Sequence, residues 1–283
     1  MSTVSTDEWP NLFVAGLSRA GTTSLWSYLR QHPEIFMSRL KEPHFFSRIA
    51  PARLRVVHDE GEYKALFEDG RGMRYRGEAS PSYVHTGVAK AIARVQPESR
   101  IVISLRDPVT RYHSFHRRLV RDGLESRSFP DFVREMIAPE FELAFLERHY
   151  TARVEKYLRT FPGRVHVLVF EEFAAAPREQ VDRLFEFLGV EPCAASLDLT
   201  PLNPGYAPRN TVAQKLYASR RARRVAHAVV PPGFHARFER VMLDRRPEPP
   251  MDPETRRVLQ ERFAPDREPL ERLLGRELPW PRY

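Results

Sequence analysis

The chain is nearly devoid of cysteine: Cys193 is the only one in 283 residues. One thiol excludes an intramolecular disulfide and a cysteine-built zinc cluster, and it fits a reducing cytoplasm. Long apolar runs are missing too. No stretch approaches the ~20 apolar residues that a membrane span needs, and the opening MSTVSTDEWPN is polar, without the apolar centre of a secretory signal. The expectation is a soluble cytoplasmic protein without a membrane span. Lysine is scarce. Lys41, Lys64, Lys90, Lys156 and Lys215 are the lysines within a Lys+Arg total of 45, a skew that coding-DNA composition readily produces. Against 37 Asp+Glu the net charge is +8, which suits anionic partners such as nucleotides. There is no internal repeat. Also missing is the Gly-Lys-Ser/Thr ending that a glycine-rich NTPase loop uses to hold phosphate and Mg²⁺.

What is present is an alternation of strands and helices. Residues 12–16 read as a buried strand, 22–31 as a helix ended by His32-Pro33, and 37–47 as a loop. Helical patterns follow at 60–68 and 86–95, with a short strand at 73–80 between them. RIVISLRD at 100–107 is a β-branched strand, and 109–121 a helix stopped at Gly123. A long helix is predicted over 141–160, a strand over 165–173, and an amphipathic helix over 177–188. That last helix turns Val181, Leu184, Phe185 and Leu188 inward and ends at Gly189. Residues 190–210 are Pro-rich and irregular, 212–228 look helical, and 252–276 form a last helix. The alternation predicts an α/β fold: a single domain, residues 1–283, whose mostly parallel central sheet is flanked by helices, with the segment about 211–283 packed on the core. Ligands of such sheets lie beyond the C-terminal strand ends.

Two segments sit at such ends. GLSRAGTTS, residues 16–24, joins the first strand to the first helix. Its glycines let backbone N–H groups approach an anion, the helix dipole points at it, and Arg19, Thr22 and Thr23 add donors. Arg106-Asp107-Pro108 follows another strand, with Ser114 eight positions beyond Arg106 on the next helix; an arginine fork and a hydroxyl grip phosphate well. KEPHFFS, residues 41–47, gathers Lys41, Glu42, His44 and two aromatics. It reads either as a surface ion pair beside a packed histidine or as a general base beside an anion-binding lysine. EASPSY, residues 78–83, ends a further strand; helix capping accounts for Ser80 and Ser82, and core packing for Tyr83.

Together these segments resemble the sulfotransferases that use 3′-phosphoadenosine 5′-phosphosulfate (PAPS), closest to the heparan-sulfate-type branch and its bacterial relatives. GLSRAGTTSL resembles the 5′-phosphosulfate loop, which implies cofactor contacts from Arg19, Ala20, Gly21, Thr22, Thr23 and Ser24. RDPVTRYHSF resembles the 3′-phosphate motif, implying Arg106 and Ser114. KEPHFFS resembles the loop bearing that branch's catalytic glutamate, and EASPSY its companion segment. LVFEEFAAAPREQVDRLFEFLGV, LNPGYAPRN and LERLLGRELPW resemble later segments, so the likeness spans about residues 11–280; within it Arg209 is implied to close over the cofactor. Heparan-sulfate-type enzymes usually carry lysine where this chain has Arg19.

The resemblance implies a P-loop-like nucleotide-binding core and in-line transfer of a sulfuryl group from PAPS, without a metal. The acceptor is a hydroxyl, or secondarily an amine, of a small molecule, lipid or glycan. Glu42 is the expected base, its pKa raised by partial burial among Phe45 and Phe46. Lys41 steadies the transferring group, and His44 is the alternative base or orients Glu42. Arg19 stabilises the charge that builds on the leaving phosphate. Acceptor pockets are expected from residues 48–60, 122–150 and 200–250. Two rival readings are a nucleotide-dependent kinase, marked by a Mg²⁺ requirement, and a basic anion- or nucleic-acid-binding protein using SRRARR at 219–224, marked by steep salt dependence.

Overall fold

Five strands pair in parallel in the order β2-β3-β1-β4-β5: Leu12–Gly16 (β1), Ile35–Met37 (β2), Tyr75–Ala79 (β3), Arg100–Leu105 (β4) and Val165–Val169 (β5). The structure is a computed structural model that describes residues 8–47, 56–85, 87–137, 150–200, 206–208, 243–245 and 250–283, the two three-residue pieces as main chain only. Neighbouring β1 residues alternate between the two faces, as the period of two requires. Leu12 and Val14 join one buried cluster with Leu25, Leu29, Leu184, Phe185 and Leu188. Phe13 and Ala15 join the other, with Ile92, Val154, Tyr157 and Phe161. Both faces are therefore covered, which is why β1 is apolar at every position.

The helices in chain order are Thr22–Leu29 (α1), Glu60–Ala65 (α2), Val88–Val95 (α3), Pro108–Arg121 (α4), Phe129–Met136 (α5), Tyr150–Thr160 (α6), Phe170–Ala175 (α7), Pro177–Leu188 (α8) and Pro253–Leu274 (α9). By its contacts the chain falls into two units. The first comprises Met1–Pro108, Leu143–Thr200 and Glu261–Tyr283; the second comprises Val109–Glu142 and Pro201–Gln260. The first holds the parallel sheet. The second holds an antiparallel pair, Tyr206–Pro208 (β6) with Leu243–Arg245 (β7), and packs α5 within itself through Phe129 and Phe132, which meet His113 and His116 of α4.

Most expected elements appear where the sequence puts them. Val181, Leu184, Phe185 and Leu188 of α8 are all buried, and Gly189 takes the left-handed cap conformation, φ 68°. Three differences stand out. Expected β at 165–173 stops at Val169, because FEEFAA turns helical and carries Phe170 and Phe173 on one side. The short strand β2 begins before the expected loop and pairs with Tyr75–Gly77. Helix α5 forms within 122–150, a stretch expected to supply acceptor loops, because Ser128 caps it and Phe129, Phe132, Val133 and Met136 share a buried face. The long helix expected over 141–160 is described from Tyr150 onward. There the Asp266 carboxylate accepts the Tyr150 N–H at 2.6 Å. Of the C-terminal segment, Leu270, Leu278 and Trp280 enter the core of the first unit, while residues 211–242, including the expected helix 212–228 and SRRARR, lie outside the described residues.

Candidate active site

The loop after β1 is shaped by close approach. Gly16 has φ 151°, and a Cβ there would stand 2.7 Å from the Ser104 carbonyl of β4. Gly21, at φ 85°, begins α1, and a Cβ there would press against the Phe170 ring at 3.0 Å. Between them Arg19 is left-handed at φ 75° although it is not glycine. Two groups on β4 hold this bend. The Ser104 hydroxyl donates to the Ala20 carbonyl. Arg106 donates to the Arg19 carbonyl at 3.0 Å while its guanidinium lies 4.5 Å from the centre of the Phe170 ring. The first N–H groups of α1 have no acceptor within the helix. With the hydroxyls of Thr22, Thr23 and Ser24, they form a donor set at the sheet's C-terminal edge that suits a phosphate or sulfate.

The turn after β4 is fixed from below. The Asp107 N–H donates to Glu171 at 3.1 Å, the Trp280 indole donates to the other oxygen of Glu171 at 2.9 Å, and the Tyr283 hydroxyl donates to Asp107. Arg106 is thereby placed beside the β1–α1 loop. Ser114 is buried within α4, a helix whose body belongs to the second unit. Arg209 lies outside the described residues, as does most of the expected acceptor region.

Lys41, Glu42 and His44 follow β2 on the same edge. Glu42 and His44 are left-handed, φ 61° and 55°; together with Arg19 they are the non-glycine residues of positive φ among the described residues. Such conformations are costly, of order 1–3 kcal/mol each, and gather at functional sites. The Lys41 ammonium donates to the Glu42 carboxylate, and the His44 Nε2 lies 3.6 Å from its other oxygen, beyond hydrogen-bond reach. His44 is buried, 2% exposed. Its Nδ1 meets the Ser82 hydroxyl at 2.6 Å, and its backbone N–H donates to Ser80 Oγ at 3.2 Å.

The electrostatics of Glu42 correct one expectation. Burial does push its pKa up, but His44 and the Lys41 ammonium outweigh that and bring it down to about 2. Phe45 and Phe46 do not desolvate the carboxylate enough to win, because their rings turn into an aromatic cluster with Trp9 and Tyr63. A second correction concerns Ser80. It precedes the 3₁₀ turn Pro81–Val84 but makes no capping hydrogen bond; its hydroxyl donates instead to Glu78 at 2.6 Å. The residues that sequence reasoning undervalued are therefore Glu78, Ser80, Ser82 and Tyr63. The available signal was a glutamate inside YRGEA, a strand flanked on both sides, where a charge must be buried.

A parallel α/β sheet with a donor-rich strand–helix loop at its switch point defines a P-loop-like fold. The chain matches the Sulfotransferase family over residues 37–193 and belongs to that family. Over 191 residues it is 28% identical to human heparan sulfate glucosamine 3-O-sulfotransferase 3B1, covering 64% of this chain and 46% of that protein. Mouse carbohydrate sulfotransferase 15 is 26% identical over 200 residues, covering 56% of this chain and 35% of that one. The chain thus spans about half the length, or less, of these relatives. A crystal structure of a sulfotransferase from Alicyclobacillus acidocaldarius is 31% identical, with a TM-score of 0.70 over 95% of this chain and 97% of that one. A mouse sulfotransferase complexed with PAP shares the fold at 14% identity, TM-score 0.56, covering 93% of this chain and 88% of that one. Among the described residues no group of side chains is arranged to hold a metal ion, and no helix is long and apolar enough to cross a membrane.

Proposed function

We propose that the protein is a PAPS-dependent sulfotransferase that sulfates a hydroxyl of a glycan or small molecule. The observation that carries this reading is the placement of Arg19, Glu42 and His44, all strained, on two loops at one edge of the sheet. One loop offers donors to an anion and the other offers a base. PAPS supplies the activated sulfuryl group. The donor set of residues 19–24 fits its 5′-phosphosulfate, since Gly16 and Gly21 bring main chain where a side chain would collide. Arg106 and Ser114 are assigned to the 3′-phosphate from their motif, and Arg209 is assigned by resemblance to cover the nucleotide.

Glu42 takes the proton of the acceptor hydroxyl. Its carboxylate is ionised at neutral pH, but its basicity is low while Lys41 donates to it. An anion near Lys41 competes for that ammonium and returns basicity to Glu42. His44 orients the carboxylate from the side of Nε2 and is the alternative base. The carbohydrate-sulfating relatives support a glycan acceptor. A cytoplasmic setting is supported by the single cysteine. We read the two units as parts of one catalytic domain, since α4 and α9 each contribute residues to both.

The decisive experiment is a thermal-shift comparison. PAP should raise the melting temperature, and ATP with Mg²⁺ should do so much less. Equal stabilisation by ATP overturns the assignment in favour of a kinase-like nucleotide protein.

A further inference from the structure

Below the Lys41–His44 loop lies a buried acid that the reaction does not use directly. Glu78, at the end of β3, is fully buried. Its carboxylate receives three hydroxyls. Ser80 donates to Oε2 at 2.6 Å, Tyr83 donates to Oε1 at 2.6 Å, and Tyr63 donates to the same Oε1. No cation is paired with Glu78 among the described residues. Burial pushes its pKa up, against the hydrogen bonds from Ser80, Tyr63 and Tyr83. Burial and the Glu78 charge raise both phenols well above their ordinary value, which keeps them protonated as donors.

The direction of these bonds has a consequence one step further out. A hydroxyl has a single proton. Ser80 gives its proton to Glu78, so its oxygen is left to accept, and it accepts the backbone N–H of His44 at 3.2 Å. Tyr83 does the same: its proton goes to Glu78, and its oxygen accepts the backbone N–H of Phe46 at 3.3 Å. An N–H cannot accept a hydrogen bond. If either hydroxyl proton turned outward, it would face a donor. Glu78 thus decides the polarity of two bonds that pin the main chain of residues 44–46, where His44 sits in a strained left-handed conformation.

We infer that Glu78 is a positioning residue for sulfuryl transfer: by drawing in the protons of Ser80 and Tyr83 it makes both oxygens acceptors for the catalytic loop and holds Glu42 and His44 in register. This rests on the proposed function of the loop. It differs from a packing role in one respect. Glutamine has the shape of glutamate, but its amide end donates and therefore reverses one of the two polarities.

The test is Glu78→Gln, read by turnover and by amide hydrogen exchange. Turnover should fall about 10- to 100-fold, the cost of leaving one or two buried donors unmatched, with the donor KM and the stabilisation by PAP unchanged. Exchange should speed up in the same variant at one of the two amides, His44 if the new NH₂ faces Ser80 and Phe46 if it faces Tyr83. Glu78→Asp keeps the carboxylate and should recover part of both. Tyr63→Phe is the control. It removes a bond to Glu78 that leads to no loop amide, and it should leave exchange at residues 44 and 46 unaltered. If Glu78→Gln does not fold, two outer variants decide instead. Ser80→Ala should expose the His44 amide alone, and Tyr83→Phe the Phe46 amide alone. Wild-type turnover and protection in Glu78→Gln overturn the inference, as does a loss of protection in Tyr63→Phe equal to that in Glu78→Gln. Exchange is read without any substrate. An absence of sulfuryl transfer by the unaltered protein would therefore overturn the proposed function and leave the polarity question answered separately.

Discussion

The loops after β1 and after β2 bend through the same left-handed region of backbone space, and they are held there by different means. In the first, glycine does most of the work. Gly16 lies against Ser104 and Gly21 against Phe170, and Arg19 is clasped through its carbonyl by Arg106. In the second, Glu42 and His44 take positive φ without glycine, and buried hydroxyls receive the loop's N–H groups from beneath. The contrast follows from what each loop offers. On the proposed function, a loop that offers mainly main-chain N–H groups to an anion can place glycine at two of its three bends, so packing can fix it. A loop proposed to work through Glu42 and His44 must keep side chains at its bends, so polar partners outside it hold the strain. The two glutamates repeat the contrast. Glu42, facing Lys41 and His44, is driven down to about 2 despite burial, and Glu78, facing hydroxyls, is pushed up by burial.

The sharpest way to separate the loops is Glu42→Gln, which keeps shape and removes basicity. Turnover should fall by ~10²–10⁴-fold, the scale of general acid–base catalysis, with nucleotide affinity nearly unchanged. A loss that appears in nucleotide binding instead would merge the two loops into one binding site. Near-normal turnover in Glu42→Gln, with none in His44→Asn, would make histidine the base.

A smaller effect is expected on the other side. Arg106→Ala should weaken a 3′-phosphorylated nucleotide by about 10- to 150-fold, the worth of a hydrogen bond to a charged group, and barely alter binding of the form without that phosphate. Calorimetry that finds the same loss for both would assign Arg106 to holding the Arg19 carbonyl alone.

The smallest change is a shift along the pH axis. Glu42, at about 2, lies below its ordinary 4.5, so its ionised form and its ion pair persist at neutral pH. The stability they contribute is lost only as pH falls from about 4.5 toward 2. Lys41→Ala removes one of the two partners that oppose burial, and the acid limb of the turnover profile should move to higher pH. An acid limb that stays in place would show that Lys41 does not govern Glu42.

Much of this was legible in the sequence, and the rest was hidden for specific reasons. Strand β1 announces itself as an unbroken apolar run, and β4 as a β-branched one interrupted by Ser104, because both sheet faces are covered. The β1–α1 loop is legible because glycine spacing and a strand–helix junction belong to the local chain. Helix α5 carries its own signal, with Ser128 as cap and Phe129, Phe132, Val133 and Met136 at helical spacing. Strand β2 does not, since three residues carry no period and it exists through pairing with β3. The sign of the Glu42 shift was out of reach for the same kind of reason. Neighbours in sequence suggested aromatic burial, whereas the Phe45 and Phe46 rings pack inward and the charges of Lys41 and His44 decide. The role of Glu78 depends on the amides of His44 and Phe46, more than thirty residues away on a different loop, which no spacing reveals.

The strand order sets a condition on how the chain is made. Of the five paired strands, β1 comes first in the chain and lies in the middle of the finished sheet. Leu12 needs Gly77 on one side and Arg100 on the other. At ~5–20 residues per second, roughly 4–18 s pass on the ribosome before Arg100 follows Leu12. LFVAG, buried at every position in the finished fold, has neither neighbour until Gly77 is made, and it lacks the second for the whole of that interval. Non-local parallel pairing is also slow once all strands are present. The hazard for this protein therefore falls during translation, when its future centre is still an open edge, and a chaperone that covers residues 12–16 should raise the yield of folded chain more than any added stability of the completed sheet.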